Sequence, residues 1–300
     1  LKSIDINFRC DGRPGIQTFI PLGDFHIGAD GCDKGHIKRY VEYIRKNDYW
    51  WWGMGDYLDS IIHTDPRFDP EGVDRDLSIA DLKDLPRKQS AMFLELIEPI
   101  KDRCLFVLSG NHEEALAKHT ANNVTEFIAH SLGVPYLGYS GFVTLRFHWQ
   151  AKGNDGKKSN RSTSRTLFVH HGWGGGRKMG GKANKILDFL NGFDADDYFM
   201  GHVHDVLITK TSRLEARGRS IGKPKHFRDN ITWQEMHYRS REHCFGLTGT
   251  FLKSALYSEI KGYNPSFMGA IQYTIDPFRW EGGHDTGNWQ AKADIGTLTL

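Results

Sequence analysis

The sequence predicts an α/β protein, and three observations lead there. Short apolar runs at Thr18–Leu22, Trp50–Trp52, Cys104–Leu108, Thr166–Val169 and Tyr198–Met200 each stop at a polar loop. Between the first two, Lys34 to Lys46 carries Ile37, Tyr40, Val41 and Ile44 at helical spacing, which gives a strand-helix-strand unit. Each run then delivers a residue type that binds metals: Asp24 and His26, Asp56, Asn111 and His112, His171, and His202 with His204. Strand ends are where open α/β sheets carry their chemistry.

Length and composition bound the reading. Three hundred residues build a large core, and one α/β domain across 1–300 is routine at this size. Hydrophobic content of 39% with 25% charged residues is that of a soluble globular chain, which excludes disorder as the default. A net charge of +2 gives no whole-molecule field toward nucleic acid or membrane, so any basic surface must be local. Cys10, Cys32, Cys104 and Cys244 are widely spaced with no C-x-x-C pair, which favours reduced thiols in a cytoplasmic protein. No apolar run reaches the length of a membrane span, and the first residues lack the apolar core of a signal peptide.

Taken in order, the first run ends in Asp24-Phe25-His26, a D-x-H whose alternate side chains share a direction if the segment is extended. Trp50-Trp51-Trp52 reads as core and wall, and Gly55-Asp56 follows at its exit. A lone Asp there would be a helix cap. With four other such loops in the chain, Asp56 reads instead as a carboxylate bridging two metal ions. Thr64 to Asp84, with Pro66, Pro70 and many acids, reads as a surface insertion or lid. Arg87 to Ile97 predicts a helix ended before Pro99.

The third run leads to Gly110-Asn111-His112-Glu113. Asn111 offers an amide oxygen to a metal or a cap to a helix, and His112 can reach a substrate oxygen from the same turn. Glu114 to Leu132 then reads as one helix closed by Gly133. Tyr136 to Trp149 alternates as strand in a second sheet, and Lys152 to Arg165 reads as a basic hairpin tip. In His170-His171-Gly172, His171 sits at the strand exit and His170 on the opposite face. Gly176 to Ala183 comes close to a P-loop, but Ala183 lacks the hydroxyl that holds Mg²⁺, which excludes a nucleoside triphosphatase. Arg177 and Lys178 remain as candidate counter-charges for phosphate, beside the plain alternative of a flexible loop. His202-Val203-His204 is a metal signal on what reads as an extended turn. The basic stretch Lys210 to Arg228 follows at once, and is read either as a solvated face or as an overhang on the site. Ala270 to Ile275 suggests a returning strand.

As an ordered set, these five motifs resemble the signatures of the calcineurin-like metallophosphoesterase superfamily. The resemblance covers about Asp24 to Asp205. It implies a four-layer α/β sandwich of two mixed β-sheets flanked by helices, with surface insertions near 60–85, 150–165 and 207–230. It implies one divalent ion held by Asp24, His26, Asp56 and His204 and a second held by Asp56, Asn111, His171 and His202. His112 would be the catalytic histidine. Mixed Asp, His and Asn donors suit manganese, iron or zinc better than magnesium, with manganese expected. Two such ions lower the pKa of a bridging water, so hydroxide attacks a phosphate ester in line with its leaving group.

The expected substrate is a phosphodiester, either nucleic acid or a nucleotide derivative. Protein phosphatases of the superfamily follow their second motif with arginine, in the pattern G-D-x-x-D-R-G, and this chain has Ser60 at that arginine position. A guanidinium clamps a dianionic monoester bidentately, and a diester with one charge less does without it. The alternatives are a phosphomonoesterase or protein phosphatase, and a non-catalytic binding protein on the same fold, for which a lost ligand would be the mark.

Overall fold

Alternation inside single strands decides the architecture. Phe19 and Ile20, Trp51 and Trp52, and Phe106 and Val107 are neighbours on their strands, point to opposite faces, and are all fully buried. A strand buried on both faces needs a layer on each side. The computed structural model describes residues 1–10, 14–65, 68–120, 123–152, 158–176, 178–222, 233–253, 268–281 and 288–300.

Among these residues, one sheet has five strands in the order β11 (Asn288–Leu298), β10 (Ala270–Glu281), β2 (Gln17–Leu22), β3 (Trp50–Gly53) and β4 (Cys104–Val107). The other has six, in the order β1 (Lys2–Cys10), β5 (Ser140–Lys152), β6 (Lys158–His170), β7 (Asp197–Met200), β9 (Trp233–Thr248) and β8 (Val206–Gly222). Both are mixed. β2, β3 and β4 run parallel, as do β6, β7 and β9, while β10 and β8 return antiparallel at the sides.

Phe19, Trp52, Phe106, Val143, Val169 and Phe199 meet between the sheets. Outside the five-stranded sheet, Ile20, Trp51 and Val107 pack on α1 (Lys34–Asn47), α2 (Leu85–Ile97), α3 (Asn111–Thr120) and α4 (Val124–Leu132). Outside the six-stranded sheet, Phe168, Tyr198 and Phe245 pack on α5 (Met179–Leu187) and α6 (Phe189–Gly192). The order is helices, sheet, sheet, helices, the four-layer sandwich that was expected. No helix among the described residues is long and apolar enough to cross a membrane.

Several local expectations are corrected. Glu114 to Leu132 is two helices, because the Asn123 side chain accepts the Glu126 N–H and starts α4 afresh. Of the hairpin tip expected over Lys152 to Arg165, Lys158 to Arg165 is regular strand, paired residue by residue with Leu145 to Lys152, and residues 153–157 lie outside the described residues. β1, with Ile4, Ile6 and Phe8 alternating, and β11, in the tail after Glu281, were not anticipated. The segment expected as an insertion at 60–85 contains 3₁₀ turns at Pro70–Gly72 and Asp81–Asp84. It is fastened to the loop after His26 by Asp30 N–H to the Gly72 carbonyl and Asp74 N–H to the Gly28 carbonyl, both 2.9 Å.

The basic stretch after the second His-x-His histidine is corrected most. As far as Gly222 it is strand β8, which starts level with the end of β7, across the intervening β9, and runs the other way. Lys210 pairs with Cys244, which pairs with Asp197 at the start of β7. Arg213 and Arg219 therefore lie roughly 20 and 40 Å from the level where β7 ends, at about 3.3 Å per residue. This strand leads away from the motif loops and does not overhang them. Residues 223–228 of the stretch lie outside the described residues.

Candidate metal centre

Five of the motif residues adopt the left-handed backbone conformation: Asp24 (φ 50°), His26 (52°), Asp56 (51°), His202 (67°) and His204 (54°). The D-x-H and H-x-H segments are therefore not extended, and their side chains converge because the chain curls sharply at each strand exit. A left-handed non-glycine residue costs roughly 1–2 kcal/mol, least for short polar types. Backbone bonds hold the curl in place. Phe25 and His26 N–H both donate to the Asp56 carbonyl (2.8 and 3.1 Å), and Asp24 N–H donates to that of Gly55 (2.9 Å). From the far side, Thr250 Oγ1 (2.9 Å) and Phe251 N–H (3.0 Å) donate to the Asp24 carbonyl.

One set of donors is Asp24, His26, Asp56 and His204, whose ligand atoms all lie within 4.8 Å of one another. His26 Nε2 is 3.1 Å from His204 Nε2, and His204 Nε2 is 3.2 Å from Asp24 Oδ1. Asp24 Oδ1 is buried and takes no hydrogen bond, so that short approach is two lone-pair carriers facing one point. Ligands at roughly 2.0–2.2 Å from one ion stand roughly 3–3.6 Å apart, which is this spacing. His26 Nδ1 and His202 Nδ1 are likewise buried without a partner, a cost that protein interiors rarely accept unless another group completes them.

Two further sets exist among the described residues: His26, Asp59 and His112 at the rim, which does not include Asp56, and Asp56, His171 and His202, which shares it. His171 is fully buried; its Nδ1–H donates to the Met54 carbonyl (2.7 Å), which fixes the ring with Nε2 facing inward. That Nε2 lies 3.1 Å from Asn111 Oδ1 and 3.4 Å from Asp56 Oδ2. Asn111 is thus drawn into this set and does not cap α3. His170 does turn to the other face, where its Nδ1 accepts the Gly172 N–H and burial pulls its pKa down to about 4. Asp56 Oδ2 serves both sets, being also 3.9 Å from His26 Nε2.

The structure also supplies a residue that the sequence reading passed over. Glu113 is buried, and its carboxylate accepts N–H bonds from Asp56 (3.0 Å), Leu58 (3.0 Å) and Gly110 (2.9 Å), holding the second and third motif loops together. It stands in the Gly-Asn-His-Glu run, so the signal was present. Gly110 has to be glycine, since a Cβ there would come within 2.0 Å of Asp56 Oδ1 and 2.2 Å of its backbone nitrogen.

Burial works against charge throughout the centre. It pushes Glu113 up to about 7, aided by the neighbouring Asp56 charge. Against burial, the imidazoles of His171, His112 and His26 hold Asp56 well below the usual carboxylate range, and in return Asp56 raises His171 to about 9. His26 and His202 are lowered, by burial first and then by neighbouring histidines. His112 stands at the rim. Its Nδ1–H donates to the Asp59 carbonyl (2.5 Å), and its ring lies edge-on to His26 with centroids 4.7 Å apart. Burial would lower it, but the charges of Asp56 and Asp59 outweigh that and its pKa is raised.

The remaining candidates separate. Arg177 lies outside the described residues, and Lys178 is exposed at the head of α5 without a cap bond. In the preceding loop the carbonyls of Trp173, Gly174 and Gly175 converge on the Lys185 ammonium, so this arc gathers acceptors where a phosphate cradle gathers N–H donors. Lys182 is spent on the Val203 carbonyl and the Asp205 carboxylate. Ser60 is buried, and its N–H donates to Gln89 Oε1 (3.0 Å). A cavity of about 450 Å³ opens beside Asn111, lined by Glu114, Ala115, Lys118, His119 and Tyr139.

No family model matches the chain, and no curated protein matches it. Among solved structures, a predicted phosphoesterase from Streptococcus pneumoniae is similar at 11% identity and a TM-score of 0.33, over 95% of this chain and 91% of that one. A calcineurin-like phosphoesterase, YfkN from Bacillus subtilis, is similar at 9% identity and a TM-score of 0.32, over 94% and 90% of the two chains. Likenesses at this level carry no weight for function, which rests on the donor geometry.

Proposed function

We propose that this chain is a metal-dependent phosphoesterase of the calcineurin-like metallophosphoesterase superfamily, acting on phosphodiesters of nucleic acid or of a nucleotide derivative. The observation that carries the reading is the convergence of two donor sets on one shared carboxylate oxygen of Asp56, with Asp24 Oδ1 and His202 Nδ1 buried and without a hydrogen-bond partner. Asp24, His26, Asp56 and His204 would hold one divalent ion, and Asp56, Asn111, His171 and His202 the other, manganese being the first candidate. When bound, such a pair neutralises phosphate charge and makes a water acidic enough to act as nucleophile near neutral pH.

The protein's own part is positional and electrostatic. Glu113 and the crowded Gly110 hold Asp56 at the meeting point of the two sets, and Met54 fixes the His171 ring. His112 is the proton donor to the leaving oxygen. Its Nδ1–H is engaged by Asp59, its Nε2 is left for substrate, and Asp56 and Asp59 favour its protonated form. The cavity beside Asn111 gives an organic group on the phosphate somewhere to lie, with Lys118 and Glu114 as polar contacts. Absence of a guanidinium at the buried Ser60 favours diesters over dianionic monoesters.

Metal analysis of purified protein joined to turnover of bis-p-nitrophenyl phosphate tests the reading. Two equivalents of divalent ion and chelator-sensitive turnover restored by Mn²⁺ are expected. A protein that binds no metal, or binds it and hydrolyses no phosphate ester, would overturn it.

A further inference from the structure

Strand β8 ends the six-stranded sheet, and among the described residues no strand pairs with its outer edge. Edge strands in soluble proteins are normally short, bulged or covered, because a free row of N–H and C=O groups invites another strand. This one is 17 residues long, and its register with β9 runs without a shift from Val206 to Ser220. Even-numbered residues face the side of the five-stranded sheet, as the ion pair of Lys210 with Asp294 shows. Past the end of that sheet the same face leaves Leu214 73% exposed and, on β9, Tyr238 68% and Met236 46% exposed. Directly opposite residues share a face, so Leu214, Tyr238 and Met236 form one apolar strip.

On the other face, Arg213 stands directly opposite Arg241. Arg241 is satisfied by Asp194 (3.0 Å), Asp196 (2.8 Å) and Glu215 (3.3 Å), whereas the exposed Arg213 makes no ion pair among the described residues. Like charges directly across a ladder are unfavourable unless something else neutralises them.

We propose that β8 pairs antiparallel with β8 of a second copy of this chain, about a twofold axis at Leu214, making one continuous sheet across a dimer. The sequence Ser212-Arg213-Leu214-Glu215-Ala216 is self-complementary in this register. Leu214 meets Leu214 of the second copy, Arg213 meets Glu215, and Glu215 meets Arg213. Each Arg213 thereby gains the carboxylate its own chain does not give it. Sliding the copies by two residues in either direction sets Arg213 against Arg213 or Glu215 against Glu215, so charge selects the register. The apolar strip closes over the axis, and the motif loops of both copies stay at the pole away from the paired segment.

Sedimentation equilibrium of the full chain reads the result, with turnover and far-UV circular dichroism as checks on folding. The wild type is expected to be a dimer. Arg213→Glu and Glu215→Arg should each weaken it by about tenfold or more, and the double exchange should restore it. Under mild oxidation Leu214→Cys should cross-link to itself, and Ser212→Cys, which faces Ala216 of the second copy, should not. A monomeric wild type, single exchanges that sediment as the wild type does, or equal cross-linking of the two cysteine variants would each overturn the proposal.

Discussion

The carboxylate of Glu113 accepts the backbone N–H of Asp56 at 3.0 Å, so the shared ligand of the proposed centre is held through its main chain by a second buried acid. Glu113 also takes the N–H groups of Leu58 and Gly110, and Asp56 Oδ1 returns a bond to the His112 N–H at 3.0 Å. Position is thus secured from both ends of the same residue.

Glu113→Ala is expected to strand three buried N–H groups. Each unsatisfied donor costs about 1–3 kcal/mol, so a loss of several kcal/mol is expected, read as a fall in melting temperature. Metal affinity should fall with it, measured by titration with Mn²⁺, although Glu113 touches no ion in the proposed scheme. Unchanged melting and unchanged affinity would mean the loops are held by other contacts.

Gly110→Ala removes no functional group. Its Cβ would press on Asp56 Oδ1 and on the Asp56 backbone nitrogen, and main chain cannot rotate away. Misplacement by about 1 Å at a reacting centre costs on the order of 10²-fold, and kcat/KM for bis-p-nitrophenyl phosphate should drop by that much. Retained activity would show that Asp56 has more room than the geometry allows.

Asp56→Asn and His112→Ala form a contrasting pair. The first should lower occupancy of both ions, because Asp56 Oδ2 serves both donor sets. The second should keep both ions and lose about 10²–10⁴-fold in kcat, most for poor leaving groups. Metal content of the two purified variants separates the roles; a His112→Ala protein stripped of metal would make His112 a ligand.

Diester preference is checked by kcat/KM for bis-p-nitrophenyl phosphate against p-nitrophenyl phosphate, followed by cleavage assays on DNA and RNA. The diester is expected to win. Ser60 brings only a short neutral hydroxyl to the position where a guanidinium would clamp a monoester's extra charge. Monoester preference with no polynucleotide cleaved would reverse the substrate proposal.

Much of the proposed donor set could be picked out because each residue follows an apolar strand and is of a ligating type. Asp24, His26, Asp56, Asn111, His171, His202 and His204 are all brought together. The reason given for their convergence was wrong, since an H-x-H written as extended is left-handed at both histidines, and sequence spacing does not encode the sign of φ. Glu113 stood in the Gly-Asn-His-Glu run, but its role was missed because its partners are backbone N–H groups of residues far off in sequence, Asp56 and Leu58 among them. The direction of β8 could not be read either. It is set by antiparallel pairing with β9, which itself runs parallel to β7, so the basic run that follows His204 in sequence points away from it in space. β1 was visible in the alternation of Ile4, Ile6 and Phe8.

The left-handed backbone at Asp24, His26, Asp56, His202 and His204 has a consequence for how such a protein is dissected by mutagenesis. Asparagine tolerates that conformation about as well as aspartate or histidine, whereas alanine adds a backbone penalty unrelated to the lost ligand. An alanine scan across these five positions would therefore overstate their chemical importance relative to Asn111 and His171, which are not among the left-handed residues. Asparagine keeps the backbone preference at every one of them, so the difference between an Asn and an Ala variant at one position combines the conformational share with whatever the amide contributes as a donor.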